Sequence, residues 1–216
     1  MSNYNIIMMK NAFFKPFVGE FYGKTQSLFR KRVLLLGESH YCGESCETCG
    51  QCKLHSQCTM FTSHVIKGYL NPDSEWEGWM STYLKFERAL VNHETTSDES
   101  FRIWNSVVFY NYLQFAMNRP RQAGTRAQYR DSEGAFYSVL NQYQPDVMIV
   151  WGKRLWRYIP SDNWIEGDEY YFDGYRVDNG LYLLDGGKSV KVISIYHPST
   201  GFDWSWWHNI IRPFIS

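Results

Sequence analysis

A chain of 216 residues with 44% hydrophobic and 20% charged side chains has a globular composition, and one domain spanning 1–216 is expected. Its 22 Lys plus Arg balance 22 Asp plus Glu, which excludes a global field that would draw the molecule onto a polyanion, so any nucleic-acid surface must be a local patch. No apolar run approaches a membrane span, and only Ile6 to Met9 is apolar before Lys10, too little for a signal-peptide core; a cytoplasmic protein without membrane association is expected. The aromatic fraction of 18% implies a large-ringed core with several rings left to line a cleft or rim.

In chain order, the first strand signal is residues 32–37 (Arg-Val-Leu-Leu-Leu-Gly), a continuous apolar run ended by glycine, as in a buried parallel strand. All five cysteines follow, between Cys42 and Cys58, a clustering unlike the spread of a disulfide-stapled secreted domain. Cys46, Cys49, Cys52 or His55, and Cys58 could form a small zinc knuckle, while the Cys-x-x-Cys-x-x-Cys core is similar to an iron–sulfur ferredoxin run. Either group would be structural, fixing the loop after Tyr41, and no cofactor is expected in the chemistry.

Helical spacing occupies residues 62–70 and 133–141, with plausible Ser, Thr or Asp caps at their starts. Apolar runs at 106–111, 145–152 and 190–197 complete four strand signals. Strands alternating with helices predict a three-layer α/β/α fold around a four-stranded, mainly parallel sheet. Residues 166–187 alternate differently, around Asp173-Gly174 and Asn179-Gly180 turn signals, and predict a β-hairpin inserted before the last strand. Arg119, Arg121, Arg126 and Arg130 form a basic run without an acid among residues 118–130, and Lys153, Arg154 and Arg157 follow the third strand. Either group could neutralise phosphates, although a solvated basic face is the commoner reason for such a run.

Open α/β sheets bind their ligands beyond the carboxyl ends of the strands. Those ends are residues 37–41 (Gly-Glu-Ser-His-Tyr), Asn111, Gly152-Lys153 and His197-Pro198-Ser199. In this order they resemble the uracil-DNA glycosylase superfamily. Residues 37–43 lie over that family's Gly-Gln-Asp-Pro-Tyr-His-Gly loop, matching at Gly37, Tyr41 and Gly43, and residues 197–199 match its His-Pro-Ser loop. The resemblance covers residues 32–200.

It implies a monofunctional DNA glycosylase that extrudes a uracil or another modified or damaged pyrimidine and hydrolyses its N-glycosidic bond, acting as a monomer on DNA. His197 would donate to the base oxygen where negative charge develops. Asn111 would read the base edge, Tyr41 would block a thymine methyl, and Gly37 and Ser199 would complete the base pocket. Arg119, Arg121, Lys153 and an apolar wedge at Phe202 or Trp204 would contact DNA. The chain departs from the family where Ser39 replaces an aspartate and His40 a proline, so directing water falls to Glu38, His40 or Ser39, or to none of them. Two rivals come from other classes: a non-catalytic nucleic-acid-binding module of the same fold, and a metal-dependent redox or sensor protein resting on the cysteines alone.

Overall fold

The structure is a computed structural model and describes residues 12–42, 58–199 and 201–216. In chain order its elements are β1 (Phe17–Val18), β2 (Val33–Gly37), α1 (Phe61–Leu70), α2 (Met80–Val91), α3 (Ser97–Trp104) and β3 (Val107–Asn111). There follow α4 (Arg126–Asp131), α5 (Glu133–Tyr143), β4 (Val147–Trp151), α6 (Lys153–Trp156) and β5 (Trp164–Glu166). The chain closes with β6 (Tyr171–Phe172), β7 (Tyr175–Arg176), β8 (Asn179–Leu183), β9 (Ser189–Ile195) and α7 (Trp204–Ile215).

The four apolar runs become β2, β3, β4 and β9, side by side in the order β3-β2-β4-β9 and all parallel. Every residue of β2, β3 and β4 is buried, because both faces of this part of the sheet are covered by helices. On one face Val33, Leu35, Val107, Phe109 and Ile149 join Ile66, Phe86, Ile103 and Ile211 from α1, α2, α3 and α7. On the other, Leu34, Leu36, Val108 and Val150 join Tyr129, Phe136, Val139 and Leu155 from α4, α5 and α6. The strand period of two thus divides one apolar run between two cores.

The sheet has seven strands, not the expected four. β1 adds antiparallel to β3 at one edge, and β8 and then β5 add antiparallel beyond β9 at the other. The added strands β1 and β5 are two and three residues long and partly exposed, so they carry no apolar run. Asn179-Gly180 is not a turn either. It opens β8, where an added Cβ on Gly180 would sit 2.2 Å from the Trp164 ring, so glycine there admits a close cross-strand packing. Asp173-Gly174 does turn a hairpin, between β6 and β7, with both residues at positive φ.

The two sequence-read helices are α1 and α5, but neither start carries a side-chain cap. Ser132, before α5, spends its hydroxyl on the Gln128 carbonyl and the Gln114 N–H. Capping boxes close α3 and α4 instead, through Thr96 with Glu99 and Thr125 with Gln128. Among the described residues no helix is long and apolar enough to cross a membrane.

Candidate active site

Because β2, β3, β4 and β9 are parallel and adjacent, their carboxyl ends release four loops at one end of the sheet. There they surround a cleft of about 990 Å³, lined by residues 37–41, Asn111, residues 152–155, His197 and Ser199. Phe61, Trp79, Tyr83, Phe109, Trp151 and Tyr196 supply its aromatic walls.

Asn111 and Gly37 are register partners at the ends of β3 and β2. An added Cβ on Gly37 would lie 2.2 Å from Asn111 Oδ1, so the asparagine side chain folds over a position that only glycine leaves open. Its Nδ2 lies 3.1 Å from His40 Nδ1. The His40 ring is 4% exposed, packed edge-on against Phe14 and Phe61 at 4.9 and 4.6 Å between centroids. On its far side His40 Nε2 is 2.9 Å from Oγ1 of the fully buried Thr62. Burial away from water lowers the His40 pKa to about 3, so the imidazole is neutral. A neutral imidazole keeps one ring nitrogen as an acceptor, and Asn111 Nδ2 is also 3.1 Å from His40 Nε2, so the amide packs against the edge that carries both ring nitrogens.

His197 follows the end of β9. Its Nδ1 accepts from the Ser199 backbone N–H at 3.2 Å and lies 2.8 Å from the Ser199 hydroxyl. An Nδ1 that accepts is unprotonated, so the neutral ring carries its proton on Nε2 as a donor. The ring lines the cleft and is exposed to it. Desolvation within the cleft, helped by the Arg154 cation, outweighs the Glu38 carboxylate and holds the His197 pKa below its ordinary value.

Glu38 does not offer an open carboxylate. Arg154 grips it with Nε at 2.7 Å and Nη2 at 2.5 Å, and the Tyr129 hydroxyl donates to the same group. Arg154 Nη1 also donates to the Arg121 carbonyl at 3.0 Å, so Glu38 and Arg154 tie the loop at 120–122 to the floor of the cleft. Tyr41 is 45% exposed on the wall, its strand bridge to Met117 holding the backbone in place. Ser39 is half-buried and lines the same cleft.

Glu38, Ser39, His40, Tyr41, Gly37, Asn111, His197, Ser199, Arg121 and Lys153 therefore border one cavity. Their roles differ from the expected ones in three places. His40 is too deeply buried to direct water and backs Asn111 instead. Lys153 is paired with Asp178 at 2.9 Å and lies over the Tyr175 ring, so its ammonium already has partners within the fold. Phe202 is not a wedge. It is 7% exposed and stacks on Trp207 at 5.7 Å, with Trp204 packed against the same core. Phe202→Leu should accordingly cost about 1–2 kcal/mol of stability, as urea unfolding would show; an unchanged midpoint would mean that the ring is not part of the core. Arg119 is exposed and lies outside the cleft lining, as do Arg126 and Arg130 on α4.

Cys46, Cys49, Cys52 and His55 lie outside the described residues, whereas Cys42 and Cys58 flank that segment. Sequence reasoning missed the wall formed by α1 and α2, where Phe61, Trp79, Thr82 and Tyr83 close the cleft. It also missed Thr62, Tyr129 and the pairing role of Arg154, which depend on contacts between distant residues. No protein-family model matches the chain, and no curated protein matches it in sequence.

Proposed function

We propose that this cleft is the active site of a monofunctional DNA glycosylase of the uracil-DNA glycosylase superfamily, in which the whole chain is one three-layer α/β/α domain. The observation that carries the reading is His197, a neutral imidazole whose Nδ1 is occupied by Ser199 and whose Nε2–H is left as a donor in the cleft. As the N-glycosidic bond breaks, its electron pair passes to the base, and a base oxygen gains negative charge. A neutral donor strengthens its hydrogen bond as that charge grows. Asn111 lies across the cleft floor to read the base edge, and the aromatic walls give a flipped base faces to stack on. Water completes the reaction at the sugar carbon, and the proton it loses leaves to solvent. With Glu38 held by Arg154 and Tyr129, stabilisation of the leaving base supplies most of the rate.

Arg121 at the cleft and the exposed Arg119, Arg126 and Arg130 beside it form the phosphate-contacting surface, and the protein acts on DNA as a monomer. The cysteine segment holds a structural zinc ion or iron–sulfur cluster, which metal analysis and an absorption spectrum of the purified protein would separate.

The experiment is a set of single-stranded and duplex oligonucleotides carrying uracil or another modified pyrimidine, scored for abasic sites. Abasic sites at one of these bases support the reading. The occupied Glu38 carboxylate favours a second one, a binding module without catalysis, and specific binding with no abasic product would establish that instead. Tyr41→Ala tests the wall: excision of uracil relative to thymine should fall by about tenfold or more, with turnover on the preferred base reduced less. An unchanged ratio would remove the steric role from Tyr41.

A further inference from the structure

We infer that the cleft is built for single-stranded DNA: the phosphates of one strand follow the arginine rim at residues 118–130, its bases follow an aromatic wall on α2, and an acidic loop before α2 turns away a second strand. The inference rests on the reading that the cleft receives a nucleotide in DNA. It goes further by naming the state of that DNA and by giving a role to Trp76, Trp79 and Tyr83, which the chemistry does not use.

The two rims of the cleft come from opposite faces of the sheet. α2 packs on the face that holds Phe109 and Trp151, whereas α4 and α6 pack on the other through Tyr129 and Leu155. The loop at 120–122 and Arg154 therefore border one side of the cleft, and Trp79, Thr82 and Tyr83 border the other. Their chemistry is opposite as well. Residues 118–130 carry Arg119, Arg121, Arg126 and Arg130, all exposed, and no acid. Residues 68–84 carry Asp73, Glu75 and Glu77, all exposed, and no lysine or arginine.

Trp79 and Tyr83 are about one helical turn apart, with their rings edge-on at 5.6 Å, and Tyr83 is backed by Phe109 and Trp151 at 5.8 and 5.9 Å. Of the 9 tryptophans Trp76 alone is exposed, at 60%, and it leads into Gly78 and Trp79 on the cleft wall. A groove with cations on one side and rings on the other fits a single strand, whose unpaired bases can stack on the rings while its one backbone meets the arginines. In a duplex the bases face each other, and the second backbone runs about 6–12 Å across a groove from the first. With the first backbone on the arginines, the second comes over Asp73, Glu75 and Glu77, where like charges repel. The size of the cleft favours the same state. Its volume of about 990 Å³ is at the top of the range of about 300–1,000 Å³ for small-molecule sites, more than one flipped base fills, so a neighbouring nucleotide enters with it. Extruding two nucleotides from a duplex would multiply an unstacking cost that a single strand does not bear.

The test measures fluorescence anisotropy of a labelled deoxythymidine oligonucleotide, alone and annealed to its deoxyadenosine complement, at one fixed salt concentration. Wild type should bind the single strand about tenfold or more tighter than the duplex. Trp76→Ala and Trp79→Ala should each weaken single-strand binding by about fivefold or more, and Trp79→Phe, which keeps a ring, by less. Duplex binding should change little in all three. A variant combining Asp73→Asn, Glu75→Gln and Glu77→Gln should tighten duplex binding more than single-strand binding. These side chains are exposed or half-exposed, so the variants should fold, and a merely structural role would lower both affinities together. Wild type that binds the duplex at least as tightly, full single-strand affinity in both alanine variants, or an unchanged ratio in the neutralised loop overturns the inference. A uracil-bearing single strand judges the chemistry separately: no abasic product, with the single-strand preference intact, overturns the glycosylase reading alone.

Discussion

His197→Ala is expected to lower single-turnover base excision by about 10²-fold or more, the worth of one donor aimed at a developing oxyanion, while DNA binding stays within a few-fold. The two effects separate because they draw on different residues. His197 lines the cleft, whereas Arg119, Arg126 and Arg130 are exposed outside its lining, where the proposed function puts the phosphate contacts. His197→Gln retains an N–H donor and should recover part of the loss. The pH profile gives a second check. Since the imidazole acts as the neutral donor, activity should hold above its lowered pKa and decline only as acid protonates the ring. Matched losses in binding and excision would make His197 a support of the fold, and full activity in the alanine variant would assign the leaving base to another group.

The same residues show what a linear reading can reach. Continuous apolar runs reveal β2, β3, β4 and β9, since strands buried on both faces have no polar side to interrupt them. Parallel pairing then gathers their carboxyl ends, so Gly37, Asn111 and His197 can be read from sequence as neighbours, and they line one cleft. The edge strands were not, because two or three half-exposed residues form no pattern. Nor were the functional states of the side chains. Glu38 looks like a water-directing acid until Arg154, 116 positions away, and Tyr129, 91 positions away, are seen to hold it. Phe202 looks like a wedge because apolar residues after His-Pro-Ser serve as one in the family it resembles. Here α7 begins immediately after it and draws the ring onto Trp207. Local sequence reports the element, and long-range packing decides the state of the group it carries.

His40 makes that point measurable, because its environment couples the site to the stability of the whole chain. In the unfolded chain it titrates near the ordinary histidine value of 6.5, and in the fold burial lowers it to about 3. A depressed folded pKa means that the unfolded state binds the proton first. The stability from keeping His40 neutral is therefore complete above about pH 6.5 and drains away as pH falls toward about 3, at up to about 1.4 kcal/mol per unit. Over that window the loss is on the order of 4 kcal/mol, a large part of the stability of an ordinary domain. Carboxylates such as Asp146, which Lys188 and Arg32 hold below its ordinary value despite partial burial, also lose stability in acid, and so does His197. The comparison must therefore be with His40→Leu, in which those groups remain and cancel. Urea unfolding between about pH 7.5 and pH 4.5 should show wild type losing stability more steeply than the variant by close to one proton. The variant should be the less stable protein at neutral pH, where it lacks the bonds to Thr62 and Asn111, and the gap should narrow with acid. Parallel curves would mean that His40 is protonated without cost in the folded protein.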